Sequence, residues 1–180
     1  MITLVLGPMF ASKSTALLAW ERRSKFAKRS VIAFKHCIDD RYSTGGTIIT
    51  HDGACLENAI VTDKLLPYIA LAQKYDVILI DEGQFFGDLA DFCRAINTEK
   101  NQIVISALSG DYKRQPFAPV VPLLAMADKI QHLCATCVKC GGDAPFTARI
   151  STETLQTVVG GSDKYEPRCL ACFEGNAGSL

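Results

Sequence analysis

The sequence predicts an α/β domain with a mostly parallel β-sheet over residues 1–133 and a small cysteine-rich domain over residues 134–180. Three observations carry this prediction. Short Val/Ile/Leu-rich runs alternate with amphipathic stretches in the first part, which is the order found in parallel sheets with crossover helices. The runs are apolar at consecutive positions, as in strands buried on both faces. After residue 133, closely spaced cysteines and short β-rich segments replace the helices.

The elements of the first domain follow from this alternation. The predicted strands are Thr3–Leu6, Val31–Phe34, Val77–Ile80 and Ile103–Leu108. The predicted helices are Ser14–Lys28, Thr62–Lys74, Asp88–Asn97 and Val120–Ala127. Residues 36–53 are polar and contain two adjacent glycines, which favours a loop or a hairpin. In the second domain, β structure is expected at Thr147–Ile150 and Thr157–Val159. Its roughly 50 residues are too few to fold alone without a cross-link such as a bound metal ion.

Composition and charge exclude several classes of protein. The 19 Lys and Arg residues balance the 19 Asp and Glu residues, so we expect neither nucleic acid nor a membrane as a partner. The longest apolar run, residues 118–127, is about half the length that a membrane-spanning helix needs. The amino terminus lacks the basic leader and cleavage site of a signal peptide, which predicts a cytoplasmic protein. In such a reducing compartment, the eight cysteines are expected to be thiols or metal ligands.

A phosphate-binding loop is predicted where the first strand runs into the first helix. Residues 7–14 match the pattern G-x-x-x-x-G-K-[ST], with Ser12 at the place of the second glycine. Backbone N–H groups in such a loop bind phosphates, Lys13 adds a positive charge, and the hydroxyl of Ser14 can bind Mg²⁺. The alternative is an ordinary strand–turn–helix with a solvated lysine. Because glycine is favoured at positive φ and close to a phosphate, Ser12 leaves the affinity for nucleotide open.

A second motif, Asp81-Glu82 directly after the apolar run 77–80, supports nucleotide binding. Ligands of parallel sheets bind at the carboxyl ends of the strands, so neighbouring strands are expected to bring Asp81 beside a Mg²⁺ ion held by Ser14. Consecutive side chains point to different sides, which lets Glu82 face a second substrate. The alternative is that the two carboxylates simply begin a helix.

Two Cys-x-x-Cys pairs predict a structural zinc site. The first pair is ambiguous, since Cys134, Cys137 and Cys140 share the same spacing. Cys137 and Cys140 are the better choice because Gly141 and Gly142 follow them. These glycines allow a tight turn in which backbone N–H groups can donate hydrogen bonds to the sulfurs. With Cys169 and Cys172 they fill all four positions of a tetrahedron and leave none for catalysis. The intervening 28 residues exceed the usual spacing of about 15–20, which is explained if they form a loop over the active site. Free buried thiols are the alternative.

Taken together, these motifs resemble those of the type II, cytosolic and viral, thymidine kinases. The matching segments are Gly7-Pro-Met-Phe10 with Lys13-Ser-Thr15, Asp40-Arg-Tyr-Ser43, Thr50-His-Asp52, Asp81-Glu-Gly-Gln-Phe-Phe86, Pro116-Phe117, Cys137-x-x-Cys140, Gly160-Gly-Ser-Asp-Lys-Tyr165 and Cys169-x-x-Cys172. They occur in the order of the family from residue 3 to residue 173.

The resemblance implies ATP-dependent phosphorylation of the 5′-hydroxyl of thymidine, with deoxyuridine as an alternative acceptor, to give dTMP and ADP for nucleotide salvage and DNA precursor synthesis. It implies that Glu82 is the general base and that Ser14 and Asp81 bind Mg²⁺. The residues implied in ATP binding are Gly7, Pro8, Met9, Phe10, Ala11, Ser12, Lys13, Ser14, Asp39, Asp40, Arg41, Asp81 and Gln84. Those implied in nucleoside binding are Met9, Phe85, Leu108, Tyr112, Phe117, Gln156, Thr157, Val158, Val159, Gly160 and Tyr165.

The resemblance also implies a RecA-like P-loop fold, a zinc-ribbon-like domain that carries a lasso loop, a homotetramer, and feedback inhibition by dTTP. The sequence departs from the family pattern at two places in the site. Ala11-Ser12 stands where the family has Ser-Gly, and Tyr112 stands where phenylalanine is frequent, so nucleotide affinity and pocket polarity are open to change.

Two other functions stay open at this stage. One is a P-loop ATPase whose zinc ribbon binds nucleic acid, although the neutral charge and the Asp-Glu-Gly-Gln-Phe-Phe motif disfavour it. The other is a nucleotide-binding module without catalysis, which only Ser12 makes conceivable. Consumption of ATP with and without thymidine discriminates among the three.

Overall fold

The computed structural model describes residues 1–38, 47–49, 55–96 and 99–175, and it has a six-stranded sheet at its centre. The strands of this sheet are β1 (Ile2–Gly7), β2 (Val31–His36), β5 (Ile60–Thr62), β6 (Val77–Asp81), β7 (Gln102–Leu108) and β8 (Lys129–His132). Their order is β5-β2-β6-β7-β1-β8, and every pair is parallel. The predicted α/β class and the predicted parallel sheet are therefore confirmed.

The helices of the first part lie between these strands in the chain. They are α1 (Lys13–Phe26), the short α2 (Ile69–Ala72) after a 3₁₀ turn at Leu66–Tyr68, α3 (Leu89–Ile96), and α4 (Val121–Met126). A further 3₁₀ turn covers Gly83–Phe85, and the short strands β3 (Ile48–Ile49) and β4 (Cys55–Leu56) pair with each other. No helix among the described residues is long and apolar enough to cross a membrane.

The central strands β1, β2, β6 and β7 are mostly apolar because the core lies on both faces of the sheet. Along β1, Ile2, Leu4 and Leu6 belong to one cluster of buried side chains, whereas Val5 belongs to another. The first cluster includes the buried side of α3, and the second includes that of α1. Alternate side chains of a strand point to opposite faces, so a strand covered by helices on both sides carries no polar face.

The predicted helix Thr62–Lys74 is wrong over its first four residues. Thr62 instead ends the edge strand β5, which pairs with β2, and helical structure begins only at Leu66. A carboxylate oxygen of Asp88 accepts hydrogen bonds from the backbone N–H groups of Leu65 (2.8 Å) and Leu66 (2.9 Å). Pairing with a distant strand and capping by a distant carboxylate override the local helical pattern.

The cysteine-rich part consists of short antiparallel pairs and one helical turn. Strands β9 (Ala135–Thr136) and β10 (Asp143–Ala144) pair, as do β11 (Phe146–Arg149) and β12 (Tyr165–Arg168), and α5 (Leu170–Phe173) follows. The β structure predicted at Thr147–Ile150 is confirmed, but Thr157–Val159 forms no strand. A buried cluster that includes Ala11, Ala135 and Ala144 packs this part against the end of the first strand–helix loop.

Candidate active site

A pocket of about 320 Å³ opens where several segments meet at the carboxyl ends of the central strands. Its lining comes from the loop after β1, the end of β6, the segment after β7, and residues 156–160. Every residue predicted for nucleoside binding lines it, namely Met9, Phe85, Leu108, Tyr112, Phe117, Gln156, Thr157, Val158, Val159, Gly160 and Tyr165. The predicted nucleotide-binding residues that also line it are Phe10, Ala11, Ser12, Lys13, Ser14 and Asp81.

Some predicted residues do not reach this pocket. Gly7, Pro8 and Gln84 are not part of its lining, and Asp39, Asp40 and Arg41 lie outside the described residues. Other residues line the pocket without having been predicted: Thr15, Ile38, Gly110, Asp111 and Thr147. Asp111 follows the carboxyl end of β7, so the reasoning applied to Asp81 would have found it.

The loop between β1 and α1 keeps the first glycine of the predicted pattern, Gly7, but has Ser12 in place of the second. A Cβ atom on Gly7 would lie 2.8 Å from the carbonyl oxygen of Leu133, so glycine is required where the strand ends. Phe10 and Ser12 then adopt left-handed φ angles of 66° and 57°. Helix α1 starts at Lys13, whose ammonium group donates a hydrogen bond of 2.6 Å to the carbonyl oxygen of Pro8. The first N–H groups of α1 are therefore at the pocket, where they suit an anion.

A buried carboxylate and a hydroxyl form the second part of the site. The side chain of Asp81 is at the end of β6 with only 3% exposure, and its oxygens lie 3.3 and 3.4 Å from Oγ of Ser14. The hydroxyl of Ser106 on β7 donates a further hydrogen bond to Asp81. The expectation that neighbouring strands join Ser14 and Asp81 is wrong, because β7 lies between β1 and β6. The side chains of Ser14 and Asp81 still come within 3.4 Å of each other across β7. Ser106, which lies on β7, donates its hydrogen bond to Asp81 from between them.

Glu82 adopts a different direction from Asp81 because its backbone is left-handed, with φ of 53°. Nε2 of Gln84 donates a hydrogen bond of 2.5 Å to a carboxylate oxygen of Glu82. Oε1 of Gln84 accepts a hydrogen bond of 3.0 Å from the backbone N–H of Leu108. Gln84 is therefore buried behind the site and orients Glu82, whereas Glu82 itself lines the pocket.

The segment after β7 and the hairpin β11–β12 close the pocket from the other side. The carboxylate of Asp111 accepts hydrogen bonds of 2.8 Å from the backbone N–H groups of Lys113 and Gln115, which fixes a tight turn. Its other oxygen accepts a hydrogen bond of 3.0 Å from the side-chain amide of Gln156. The backbone N–H of Met9 donates to the hydroxyl of Thr147 at 2.9 Å, so the loop between β1 and α1 contacts β11 directly.

Four cysteine sulfurs gather in the second part of the chain. The Sγ atoms of Cys137, Cys140, Cys169 and Cys172 all lie within 4.8 Å of one another, and Cys134 is not part of this group. Those of Cys140 and Cys169 are 3.6 Å apart. Zn–S bonds of about 2.3 Å in a tetrahedron separate the sulfurs by about 3.8 Å, so the donor set fits zinc. Gly141, with φ of 76°, forms the tight turn after Cys140.

The thiols of this group differ in their tendency to lose a proton. Burial has the largest effect on Cys137 and raises its pKa, but backbone N–H groups of Cys169, Lys139 and Cys140 outweigh burial and lower the pKa to about 6. Burial and the neighbouring sulfurs raise the pKa of Cys172 to about 12. A divalent metal that binds all of them must displace protons from the second kind of thiol, so metal affinity increases with pH.

Comparison with known proteins agrees with the geometry of the pocket. The model of the thymidine kinase family matches residues 1–173. The thymidine kinase of Raccoon poxvirus is 38% identical over 172 residues, which cover 96% of each chain. The thymidine kinase of Vaccinia virus (strain Ankara) is 36% identical over 175 residues, or 97% of each chain. That of Monkeypox virus is 37% identical over 172 residues, or 96% of each.

Proposed function

As the chain belongs to the thymidine kinase family, we propose that it transfers the γ-phosphoryl group of ATP to the 5′-hydroxyl of thymidine, giving dTMP and ADP. One observation carries this proposal. A single pocket contains the anion-binding loop, a carboxylate–hydroxyl pair suited to Mg²⁺, a separate carboxylate, and an apolar wall. Phosphoryl transfer requires the donor, the metal and the acceptor to meet in this way.

The phosphate side of the site consists of the loop at residues 7–14 and Asp81. The N–H groups at the start of α1 and the ammonium group of Lys13 bind the triphosphate. Ser14 and Asp81 would hold Mg²⁺, because a hydroxyl and a carboxylate are hard oxygen donors. When bound, Mg²⁺ neutralises charge on the phosphate oxygens. Ser106 keeps Asp81 oriented towards Ser14.

The acceptor side consists of Glu82 and the apolar residues around it. Met9, Phe85, Leu108 and Phe117 exclude water from the nucleoside. Glu82 accepts the proton of the 5′-hydroxyl as the new P–O bond forms. Because Gln84 holds one oxygen of Glu82, the carboxylate needs little reorganisation before it accepts the proton. Residues 156–160 contact the base, and deoxyuridine, which lacks only the methyl group of thymidine, is an alternative acceptor.

The test is an assay of ATP consumption and nucleoside monophosphate formation with thymidine, deoxyuridine, deoxycytidine or DNA. We expect ATP consumption only with a nucleoside, thymidine being the best acceptor. ATP consumption that is independent of nucleoside and stimulated by DNA would instead identify an ATPase with a nucleic-acid-binding zinc ribbon. ATP binding without turnover on any nucleoside would identify a non-catalytic module.

A structural Zn²⁺ ion on Cys137, Cys140, Cys169 and Cys172 is part of the proposal, and it is supported by their short mutual distances. Feedback inhibition by dTTP is also part of it, because dTTP joins a thymine and a triphosphate and the pocket is proposed to bind both groups. A homotetramer is also part of the proposal, and association of several copies is supported by β8, an edge strand whose residues are all exposed among the described residues. A cytoplasmic location agrees with free cysteines.

A further inference from the structure

We propose that Arg149 is a positioning residue that holds residues 153–158 in the conformation that lines the nucleoside pocket. Arg149 is the last residue of β11, and it does not line the pocket itself. The inference rests on the proposed function in one respect, namely that residues 156–160 contact a nucleoside.

The guanidinium group of Arg149 binds a series of backbone carbonyl oxygens. Nη1 donates to the carbonyl oxygens of Glu153 at 3.0 Å and of Leu155 at 2.5 Å. Nη2 donates to the carbonyl oxygen of Gln156 at 3.1 Å and to the hydroxyl of Tyr165 at 2.6 Å. That hydroxyl in turn donates to the carbonyl oxygen of Val158 at 2.8 Å. Both hydrogens on each Nη atom are thus used, directly or through Tyr165, to fix the course of the segment.

The same guanidinium group joins this segment to the first part of the chain. Its central carbon lies 3.8 Å from the ring centre of Tyr112 and 5.1 Å from that of Tyr165, and both rings line the pocket. The hydroxyl of Tyr112 donates a hydrogen bond of 2.8 Å to the carbonyl oxygen of Thr154. Arg149 therefore fixes the relative positions of two pocket-lining rings as well as the backbone between them.

Residues 150–164 need such a central donor because they form no helix or strand. Their backbone carbonyls have no ladder of N–H partners, and an arginine guanidinium offers several N–H donors in one planar arrangement. The carboxylate of Glu153 does not compete for Arg149, since it accepts a hydrogen bond of 2.8 Å from Lys164, which lowers its pKa to about 2. Without Arg149, the segment would occupy several conformations, and a nucleoside would have to order it on binding.

The test compares Arg149→Lys and Arg149→Met with the wild-type protein. Lysine keeps the charge but lacks the planar fork, whereas methionine lacks both. We expect the KM for thymidine to increase about tenfold or more in Arg149→Met and less in Arg149→Lys. The KM for ATP and kcat should stay within about threefold, because the phosphate loop and Glu82 are not contacted. A general loss of structure would instead lower kcat together with the affinities for both substrates.

Hydrogen–deuterium exchange of the substrate-free protein gives a readout independent of activity. In Arg149→Met, exchange of residues 150–164 should accelerate while that of β6 and α3 stays unchanged. Arg94→Lys and Arg94→Met are matched controls, since Arg94 makes an exposed ion pair with Asp91 on α3. If Arg149→Met fails to fold, the KM for thymidine and the exchange of residues 150–164 in Arg149→Lys decide whether Arg149 holds the segment.

The outcomes separate this inference from the proposed function. An unchanged KM for thymidine together with unchanged exchange in residues 150–164 would overturn the role of Arg149 and leave the kinase activity intact. A wild-type protein that does not phosphorylate thymidine would overturn the proposed function, and the exchange measurement would still decide whether Arg149 holds the segment.

Discussion

Asp81 and Glu82 are adjacent in the chain, yet their side chains have different partners. Asp81 contacts the hydroxyls of Ser14 and Ser106 in a buried position. The left-handed backbone of Glu82 directs its carboxylate to Gln84 instead. Because the environment of each carboxylate differs, the two groups suit the separate roles proposed for them, one towards the metal and one towards the acceptor.

Replacing Glu82 by glutamine tests this division at the scale of one residue. Glu82→Gln has nearly the same shape but cannot accept a proton, so kcat should fall by ~10²-fold or more. Binding of ATP should stay nearly unchanged, because the role proposed for Glu82 is towards the acceptor and not towards the triphosphate. Rapid-quench kinetics and nucleotide titration measure the two effects, with the exposed Glu99→Gln as the control. Turnover close to that of the wild type would remove Glu82 from the role of base.

Ser12 gives a second prediction at this scale. Its φ of 57° places a side-chain-bearing residue in the left-handed region, which costs roughly 1–2 kcal/mol relative to glycine in the same conformation. Ser12→Gly should therefore be at least as stable as the wild type, although the greater freedom of glycine in the unfolded chain offsets part of the gain. Ser12→Val should be less stable, because a β-branched residue is strained there. Thermal unfolding of the three proteins tests this order of stability, and a loss of stability in Ser12→Gly would contradict it.

At the scale of elements, hairpin β11–β12 and the cysteine cluster act together. The hairpin carries Arg149 and Tyr165, and α5 begins directly after Cys169. The backbone N–H of Val138 donates to the carbonyl oxygen of Pro167 at 3.2 Å, which connects the first cysteine pair to β12. Since these strands are short, a metal that joins the two cysteine pairs would stabilise the base of the loop that lines the pocket.

Removal of one proposed metal ligand tests this connection. Cys140→Ser should lose the zinc ion and raise the KM for thymidine about tenfold or more, because the loop loses its anchor. The central sheet should stay folded, since its core is formed by other residues. Cys134→Ser is the control, as Cys134 is exposed and lies outside the cluster. Zinc content per chain and hydrogen exchange of residues 135–173 are the measurements, and full zinc content in Cys140→Ser would contradict the assignment.

At the scale of the whole molecule, β8 and β5 are the two edge strands of the central sheet in the described part of the chain. Strand β8 is exposed at all of its residues, and its Ile130 is 46% exposed. Strand β5 at the opposite edge has only residues 60–62. An exposed edge presents unpaired N–H and C=O groups to another chain, and β8 is the longer of the two.

Introducing a charged side chain on strand β8 tests the proposed assembly. Ile130→Lys should reduce the mass in solution below that of a tetramer, because a charged side chain is unfavourable where an edge strand is covered. Val61→Lys, at the opposite edge and 43% exposed in the wild type, is the matched control. Light scattering coupled to size exclusion measures both. A tetramer that persists in Ile130→Lys, or a wild-type protein that is monomeric, would contradict the prediction.

The sequence by itself determined the features that depend on spacing within one element. Apolar runs with no polar face indicated strands covered on both sides, and the patterns at residues 7–14 and 81–82 indicated two of the strand ends at which the pocket lies. The turn after Cys140 correctly favoured Cys140 over Cys134 in the cysteine cluster.

Only the tertiary structure decided which distant segments meet. It placed β7 between β1 and β6, made residues 60–62 a strand, and brought Ser106, Asp111 and Arg149 to positions around the pocket. The physical reason is that strand order and the partners of a long polar side chain depend on packing between segments far apart in the chain. The periodicity of a segment predicts which of its faces is buried, but it does not predict which other segment packs against that face.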